Sequence, residues 1–255
     1  MLTSFTYADK PFREQKTTHL PNLKFSSKDI EVLDFILKMK FANVEDIHER
    51  FFKKKKTGEV STCLRWAQFR LSLLTRHKLL KRFSNFGTRY FYMTTDEGYY
   101  FLKRSKKIKS LCKPLDEIDI RTFEHDHQLV QIRSKLENEG EASNWISDRE
   151  LSENTELKTN LPFDCRPDAI YVSRNGERIA LELEKARKSK DRYQQKIRTY
   201  IKLMTESSDS TRPFERVYFI CESASVLELL KYQAELYQYL FKFDLLNHLI
   251  IQKES

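Results

Sequence analysis

The sequence contains no apolar stretch approaching the roughly 18 consecutive residues that a membrane-spanning helix needs. Its N-terminus lacks the apolar core of a secretory signal peptide. Glycine and proline are scarce, with 5 and 6 residues, and together with the hydrophobic fraction of 40% this describes a folded and not a disordered chain. We therefore expect a folded cytoplasmic protein that has no membrane partner.

Cysteine is also sparse and widely spaced. The four cysteines form no Cys-x-x-Cys pair and have no histidine nearby at zinc-ligand spacing. They are Cys63, Cys112, Cys165 and Cys221. The sequence therefore predicts neither a disulfide framework nor a zinc site.

Positive charge is concentrated in the N-terminal half. The net charge is +9, and 33% of the 255 residues are charged beside 40% that are hydrophobic. Between Lys53 and Lys109 sixteen Lys and Arg face three acidic residues, a surplus of thirteen, which leaves the rest of the chain at −4. A basic cluster of this kind is typical of proteins that bind polyanions, because each neutralised phosphate releases condensed counterions.

The N-terminal half predicts three helices followed by a β-hairpin. Ser26 and Asp29 have the spacing of a helix-capping box, and Asn43 can cap a second helix over Val44–Phe52. A third helix is expected from about Thr62 to His77, and two strands are expected within Leu80–Thr94. We predict an arm at residues 1–24, a first domain at 25–112 and a second at 113–255.

This order of elements resembles winged helix-turn-helix domains that bind double-stranded DNA. The resemblance implies that Arg65, Gln68, Arg70 and Ser72 on the third helix are candidate readers of the major groove, since Arg and Gln match base edges. Arg76 on the same helix face is a further DNA-binding candidate. Other cations are expected to contact phosphates: Lys53, Lys54, Lys55, Lys56, Lys81, Arg82 and Arg89. The alternatives are a protein-docking winged helix and a basic face that is merely solvated.

The second half predicts an α/β domain with a central hairpin. A helix is expected from about Thr122 to Gly140, and strands at Trp145–Leu151, Arg216–Cys221 and His248–Gln252. A helix is also expected over Val226–Leu240. Asn175-Gly176, between two β-prone runs, predicts a hairpin with a type I′ turn.

Three carboxylates should meet on that hairpin. The period of two puts Glu182 and Glu184 on one strand face, and antiparallel pairing brings Asp168 beside them. Clustered carboxylates suit a hard cation, so the sequence predicts that Asp168, Glu182 and Glu184 bind Mg²⁺. The alternative is a hairpin whose acidic face is only solvated.

The hairpin resembles the core of PD-(D/E)XK nucleases, whose fold is that of restriction endonucleases. Pro167-Asp168 matches the first half of the motif, while Glu184 stands where the motif has Lys, and Lys185 follows one position late. The resemblance implies catalytic roles for Asp168, Glu182, Glu184 and Lys185. A Mg²⁺-dependent DNA endonuclease is the corresponding functional hypothesis, in which Lys185 or Lys196 stabilises the phosphate charge.

Over residues 25–205 the chain also resembles the plasmid replication-relaxation protein family. The similarity lies in the winged-helix pattern, His125 to Arg133, Trp145, Arg166-Pro-Asp-Ala169 and the Glu182-Leu-Glu184 pair, where that family usually has Glu-x-Asp. It implies a DNA-binding protein of a plasmid or other mobile element, acting in replication control or DNA transfer. Replication or conjugation proteins and a second copy of the chain are the expected protein partners, and a scaffold that docks such proteins is a third hypothesis.

Overall fold

The structure is a computed structural model, and it describes residues 25–54, 58–84, 89–105, 112–154, 161, 165–207 and 212–250. The chain is a mixed α+β protein that divides into two compact units between Ile118 and Asp119. The arm expected at residues 1–24 lies outside the described ranges. No helix in these ranges is long and apolar enough to span a membrane.

Unit 1, which ends at Ile118, combines helices with a small antiparallel sheet. The strand order is β1-β3-β2. Its elements are α1 (Ser27–Lys38), β1 (Ala42–Asn43), α2 (Val44–Ile47), a π-helical turn (His48–Phe52), α3 (Arg65–Arg76), β2 (Leu80–Ser84), β3 (Tyr90–Thr94) and α4 (Asp96–Arg104).

Local capping signals fix where the first helices begin. The Ser26 hydroxyl accepts from the Asp29 backbone N–H at 3.3 Å, and the Asp29 carboxylate accepts from the Ser26 N–H at 2.6 Å. Asn43 and Asp46 form the same reciprocal pair at the start of α2. Each box satisfies backbone donors that the helix itself leaves without acceptors, so both predicted helix starts are confirmed.

The apolar faces of α1 and α3 build the core of unit 1. Leu33 and Ile36 of α1 and Leu71 and Leu74 of α3 are fully buried. The predicted strands are confirmed as β2 and β3, which pair from Leu80 with Thr94 to Ser84 with Tyr90. The predicted turn between them, residues 85–87, lies outside the described residues.

Unit 2 is a five-stranded sheet with helices packed against it. The strand order is β4-β5-β6-β7-β8; β4, β5 and β6 pair antiparallel, while β6, β7 and β8 pair parallel. Its elements are α5 (Phe123–Asn138), β4 (Ala142–Ser147), α6 (Asp148–Glu153), β5 (Ala169–Ser173), β6 (Arg178–Glu184), α7 (Lys190–Glu206), β7 (Arg216–Cys221), α8 (Ala224–Gln233), a 3₁₀ turn (Glu235–Leu240), β8 (Phe241–Leu245) and α9 (Leu246–Leu249).

The central hairpin is present, but the type I′ prediction is wrong. A type I′ turn needs positive φ at both central residues, and only Gly176, at +86°, has it. Four residues separate the strands, and the Gly176 N–H donates to the Ser173 carbonyl at 3.0 Å. A single left-handed glycine is sufficient for this longer turn, so Asn175 need not adopt the strained region.

Three element boundaries also differ from the prediction. The strand expected at Trp145–Leu151 ends at Ser147, because the Ser147 hydroxyl accepts from the Glu150 N–H and starts α6. The helix expected to reach Leu240 ends at Gln233. The last strand is Phe241–Leu245 instead of the predicted run from His248, because alternate residues of this segment pack against β7.

The distribution of thiols gives a direct test of this fold. Cys112, Cys165 and Cys221 are buried, and burial raises the pKa of the Cys221 thiol to about 12; Cys63 is exposed. We expect one of the four thiols to react rapidly with a water-soluble disulfide reagent in the native protein, and all four after denaturation. Cys63→Ser should abolish the rapid phase; a second fast thiol would contradict the burial described here.

Candidate functional site

The predicted acidic residues line one cavity of about 340 Å³ in unit 2. Asp168 precedes β5, Glu182 and Glu184 lie near the end of β6, and Lys196 projects from α7. The cavity thus combines carboxylates with a high density of cationic groups. The full lining is His125, Arg166, Asp168, Glu182, Leu183, Glu184, Lys185, Ala186, Lys188 and Lys196.

Antiparallel pairing places Asp168 where the sequence predicted it. Ala169 pairs with Leu181, and the Asp168 N–H donates to the Leu181 carbonyl at 3.0 Å. The Asp168 carboxylate in turn accepts from the Leu183 N–H at 2.7 Å. This bond fixes the side chain against the strand that carries the two glutamates.

Glu182 and Glu184 are almost fully buried, at 3% and 1% exposure, and a single lysine joins them. The Lys196 ammonium lies 2.8 Å from one oxygen of Glu182 and 2.6 Å from one oxygen of Glu184. Lys188 adds a second cation, 2.7 Å from the other oxygen of Glu184. Both glutamates are therefore paired with lysine ammonium groups.

Burial and a tyrosine distinguish Glu182 from an ordinary glutamate. Burial raises the pKa of Glu182 to about 7, although Lys196 acts in the opposite direction. The Tyr200 hydroxyl donates to the second Glu182 oxygen, and burial, reinforced by that carboxylate, raises the pKa of Tyr200 well above its ordinary value. Lys196, for its part, has a raised pKa because the two glutamates outweigh the effect of burial, and it stays charged.

His125 on α5 completes one side of the cavity. Its Nε2 atom lies 3.3 Å from the Asp168 carboxylate, and its Nδ1 atom lies 3.7 Å from Asp126. Burial alone would lower the pKa of His125, but the two neighbouring carboxylates raise it to about 10. The imidazole is therefore cationic at neutral pH and pairs with Asp168.

This raised pKa predicts a pH-dependent stability contribution. Since the folded value of about 10 exceeds the ordinary 6.5, the contribution is complete below pH 6.5 and is lost as the pH rises toward 10. We expect His125→Asn to lower the free energy of unfolding by about 1.5 kcal/mol at low pH, as for other hydrogen bonds to charged groups. Urea titrations of the metal-free protein across this range should show that the difference in unfolding free energy from wild type shrinks as the pH rises.

The predicted binding of Mg²⁺ by these carboxylates stays a prediction. Their oxygens have the right chemistry for a hard cation. However, the Lys196 ammonium stands between Glu182 and Glu184, and no group of three or more His, Cys, Asp and Glu side chains in the described ranges is arranged to hold a metal ion. The geometry is that of two glutamates, Glu182 and Glu184, whose charge is balanced by the ammonium group of Lys196.

The nuclease hypothesis named Lys196 only as one of two lysines that could stabilise a phosphate charge, and the structure places it in the cavity itself. Its side chain is only 19% exposed and points into the cavity. The spacing could have indicated this, because Lys196 follows Tyr193 by three residues and precedes Tyr200 by four, which is the spacing of one helix face. Lys185 also lines the cavity, beyond the last residue of β6, whereas Lys188 was not predicted from the sequence.

The predicted DNA contacts lie in unit 1, and most of them face solvent. On α3, the side chains of Arg65, Gln68 and Arg76 are exposed. Lys54 and Arg89 are exposed as well, and Lys53 forms an ion pair with Glu49 at 2.6 Å. Lys55 and Lys56 lie outside the described residues.

Two cations of the β2–β3 hairpin are held by neighbouring groups. The Lys81 ammonium donates to the Asp116 carbonyl at 2.6 Å, and the Arg82 guanidinium lies 4.1 Å from the centre of the Tyr90 ring. Both remain partly exposed. These contacts orient two positively charged side chains of β2.

Arg70 does not share the exposed face of α3. Its guanidinium forms a bidentate ion pair with Asp29, with the Nε atom 2.6 Å from one carboxylate oxygen, and the Asp29 and Arg70 side chains are 1% and 12% exposed. The residues are too far apart in sequence for local pattern to show this contact. Arg70 therefore joins α3 to the start of α1, and we omit it from the proposed DNA-contacting set.

Comparison of the chain with protein-family models, with curated proteins and with solved structures found no match.

Proposed function

We propose that this chain is a DNA-binding protein in which unit 1 holds double-stranded DNA. The observation that carries the proposal is the exposed face of α3, where Arg65, Gln68 and Arg76 project from a helix that contains no acidic residue. Arg and Gln offer the paired donors and acceptors that base edges require in the major groove. Exposed cations on other elements supply additional charge for phosphates.

The order of elements in unit 1 supports a winged helix-turn-helix domain. Helices α1, α2 and α3 precede the β2–β3 hairpin, and β1 pairs with β3 on its other edge. In such domains the third helix enters the major groove while the hairpin contacts the backbone. The role in plasmid replication control or DNA transfer is proposed from the family resemblance alone.

Fluorescence anisotropy with labelled duplexes tests the proposal. The full chain should bind duplex DNA, and Arg65→Ala with Gln68→Ala should weaken binding by about tenfold or more, given 1–3 kcal/mol for each good base contact. Lys202→Ala is the matched control, since Lys202 is 72% exposed on a helix of unit 2. Absence of duplex binding at low salt would refute the proposal.

The second candidate is a Mg²⁺-dependent endonuclease, and the cavity of unit 2 favours it. Asp168, Glu182 and Glu184 line this cavity together with Lys185 and Lys196, as a PD-(D/E)XK site would require. Against it stands the Lys196 ammonium between the glutamates. The test is incubation with supercoiled, linear or single-stranded DNA in the presence of Mg²⁺ or Mn²⁺. Cleavage that disappears in Asp168→Asn would establish the endonuclease activity, and no cleavage under any of these conditions would exclude it.

A further inference from the structure

Two large aromatic side chains project into solvent from α3. Trp66 is 64% exposed and Phe69 is 41% exposed. Their rings contact each other edge to face, with centroids 6.1 Å apart and an interplanar angle of 86°. They lie three residues apart, so they occupy neighbouring positions on one helix surface. Exposure of this size at two adjacent rings is unusual for a helix whose apolar face is already buried in a core.

The surroundings of this pair are polar and positively charged. Arg65 precedes Phe69 by one helical turn, Gln68 lies beside it, and Arg76 continues the same face toward the end of α3. No Asp or Glu occurs anywhere between Glu59 and Asp96. The aromatic pair therefore lies within a segment whose only charged side chains are cationic, which favours an anionic ligand over an acid-bearing or neutral protein surface.

A regular duplex gives such rings little to contact, because its bases are stacked on one another. An unstacked base, in contrast, offers a planar face to an aromatic ring while its phosphate meets a nearby cation. Proteins that bind single strands without a sequence code combine these two features. The exposed pair on α3 supplies the planar surfaces, and Arg65 and Arg76 supply charge for the backbone.

We propose that the Trp66–Phe69 surface of α3 binds unpaired bases of single-stranded or locally opened DNA by stacking. This inference deepens the proposed function and rests on it, since it assigns to the same helix a preference for strands that are not paired. When a single strand is bound, Arg65, which faces base edges in the duplex complex, is assigned to the backbone, and the two rings are assigned to successive bases.

The fluorescence of Trp66 is an intrinsic probe of contact between this surface and a bound strand. The protein has only two tryptophans, and Trp145 is 5% exposed and stacked on Tyr171 at 5.6 Å. Trp66 therefore dominates any change in tryptophan emission that a surface ligand causes. Titration of the full chain with short oligothymidylate should quench this emission, and Trp66→Leu should abolish the quenching, while Trp145→Phe should retain it.

Affinity measurements with matched variants complete the test. Trp66→Ala and Phe69→Ala should each weaken binding of the oligothymidylate by about tenfold, in line with stacking on one base. Tyr100→Ala is the control, because Tyr100 is 59% exposed in the same unit but lies on α4. Circular dichroism should show all three variants folded, since each replaces an exposed side chain.

The outcomes separate this proposal from the proposed function. Duplex binding with no quenching by the single strand and no loss in Trp66→Ala would overturn the stacking surface while leaving DNA binding in place. Absence of binding to either form of DNA would overturn both. A Trp66→Ala variant that changes its sedimentation behaviour but keeps its affinity for DNA would assign the surface to a protein contact and reject the stacking role.

Discussion

Lys196→Met is expected to lower the free energy of unfolding by about 3–5 kcal/mol, the range found when one partner of a buried ion pair is removed. The cause is the burial of Glu182 and Glu184, whose side chains are 5% and 1% exposed and which share this ammonium. Methionine is close in size and supplies no charge, so the glutamates would lose the ammonium group that they share, while Glu184 would keep its ion pair with Lys188. Urea unfolding at neutral pH measures the loss.

The sign of the pH dependence provides an independent check. Without Lys196 the Glu182 carboxyl group holds its proton more tightly, and a carboxyl group with a raised pKa favours the folded state at low pH and disfavours it as the pH rises. The deficit of Lys196→Met should therefore shrink as the pH falls from about 8 to 5. A deficit independent of pH would show that lost packing, instead of unpaired charge, causes the destabilisation.

Two matched variants isolate the role of the ion pair. Lys202→Met makes the same change on the same helix at a position 72% exposed, where the pair with Glu206 should contribute at most about 0.5 kcal/mol. Glu182→Gln combined with Lys196→Met should recover part of the loss, because the neutral amide can still accept from Tyr200. Strict additivity of the two single changes would contradict a direct coupling.

The affinity of the full chain for duplex DNA is expected to fall about a thousandfold between roughly 50 and 200 mM salt, if about six phosphates are neutralised. The expectation follows from the excess of Lys and Arg in unit 1, where exposed cations project from several elements. Anisotropy titrations across this range give the slope of log affinity against log salt. A flat dependence would contradict phosphate binding by this surface.

Single substitutions should divide the contacts into two kinds. Arg89→Ala should weaken binding to every duplex alike and reduce the salt slope by about one, as expected for a phosphate contact. Gln68→Ala should alter the preference among sequences and leave the slope unchanged, because a neutral side chain releases no counterion. If both variants behave identically, the assignment of phosphate contacts to the hairpin and of base contacts to the helix is wrong.

Local signals in the sequence predicted much of the architecture. The capping boxes at Ser26 and Asn43 and the helical spacing of Leu71 and Leu74 depend on contacts within a few residues, and the predicted helices are present. The convergence of Asp168 with Glu182 also followed from local geometry, because a hairpin brings the start of one strand beside the end of the next.

Local sequence patterns could not predict the contacts between segments that are distant in the sequence. Arg70 looked like one more exposed cation of a basic helix, and its partner Asp29 looked like an ordinary cap residue; the fold joins them. The burial of Lys196 beside two glutamates could not be expected from local pattern either, because lysine is rarely buried without a partner and its two partners belong to a strand. The sequence prediction missed strand β8 because the position of this strand depends on parallel pairing with β7. The residues next to β8 in the sequence carry no signal for that pairing.

The two border strands of the unit 2 sheet have a bearing on self-association. On β4 the pairing with β5 shifts between Ser143 and Ile146, and Asn144 adopts a φ of +49°, so the outer backbone is kinked. On β8, Lys242 and Asp244 interrupt the aromatic side chains with charge. A kink and a pair of charges are both devices that discourage another chain from extending a sheet. Dimer formation by extension of this sheet is consequently disfavoured, and so is growth into cross-β aggregates at either border.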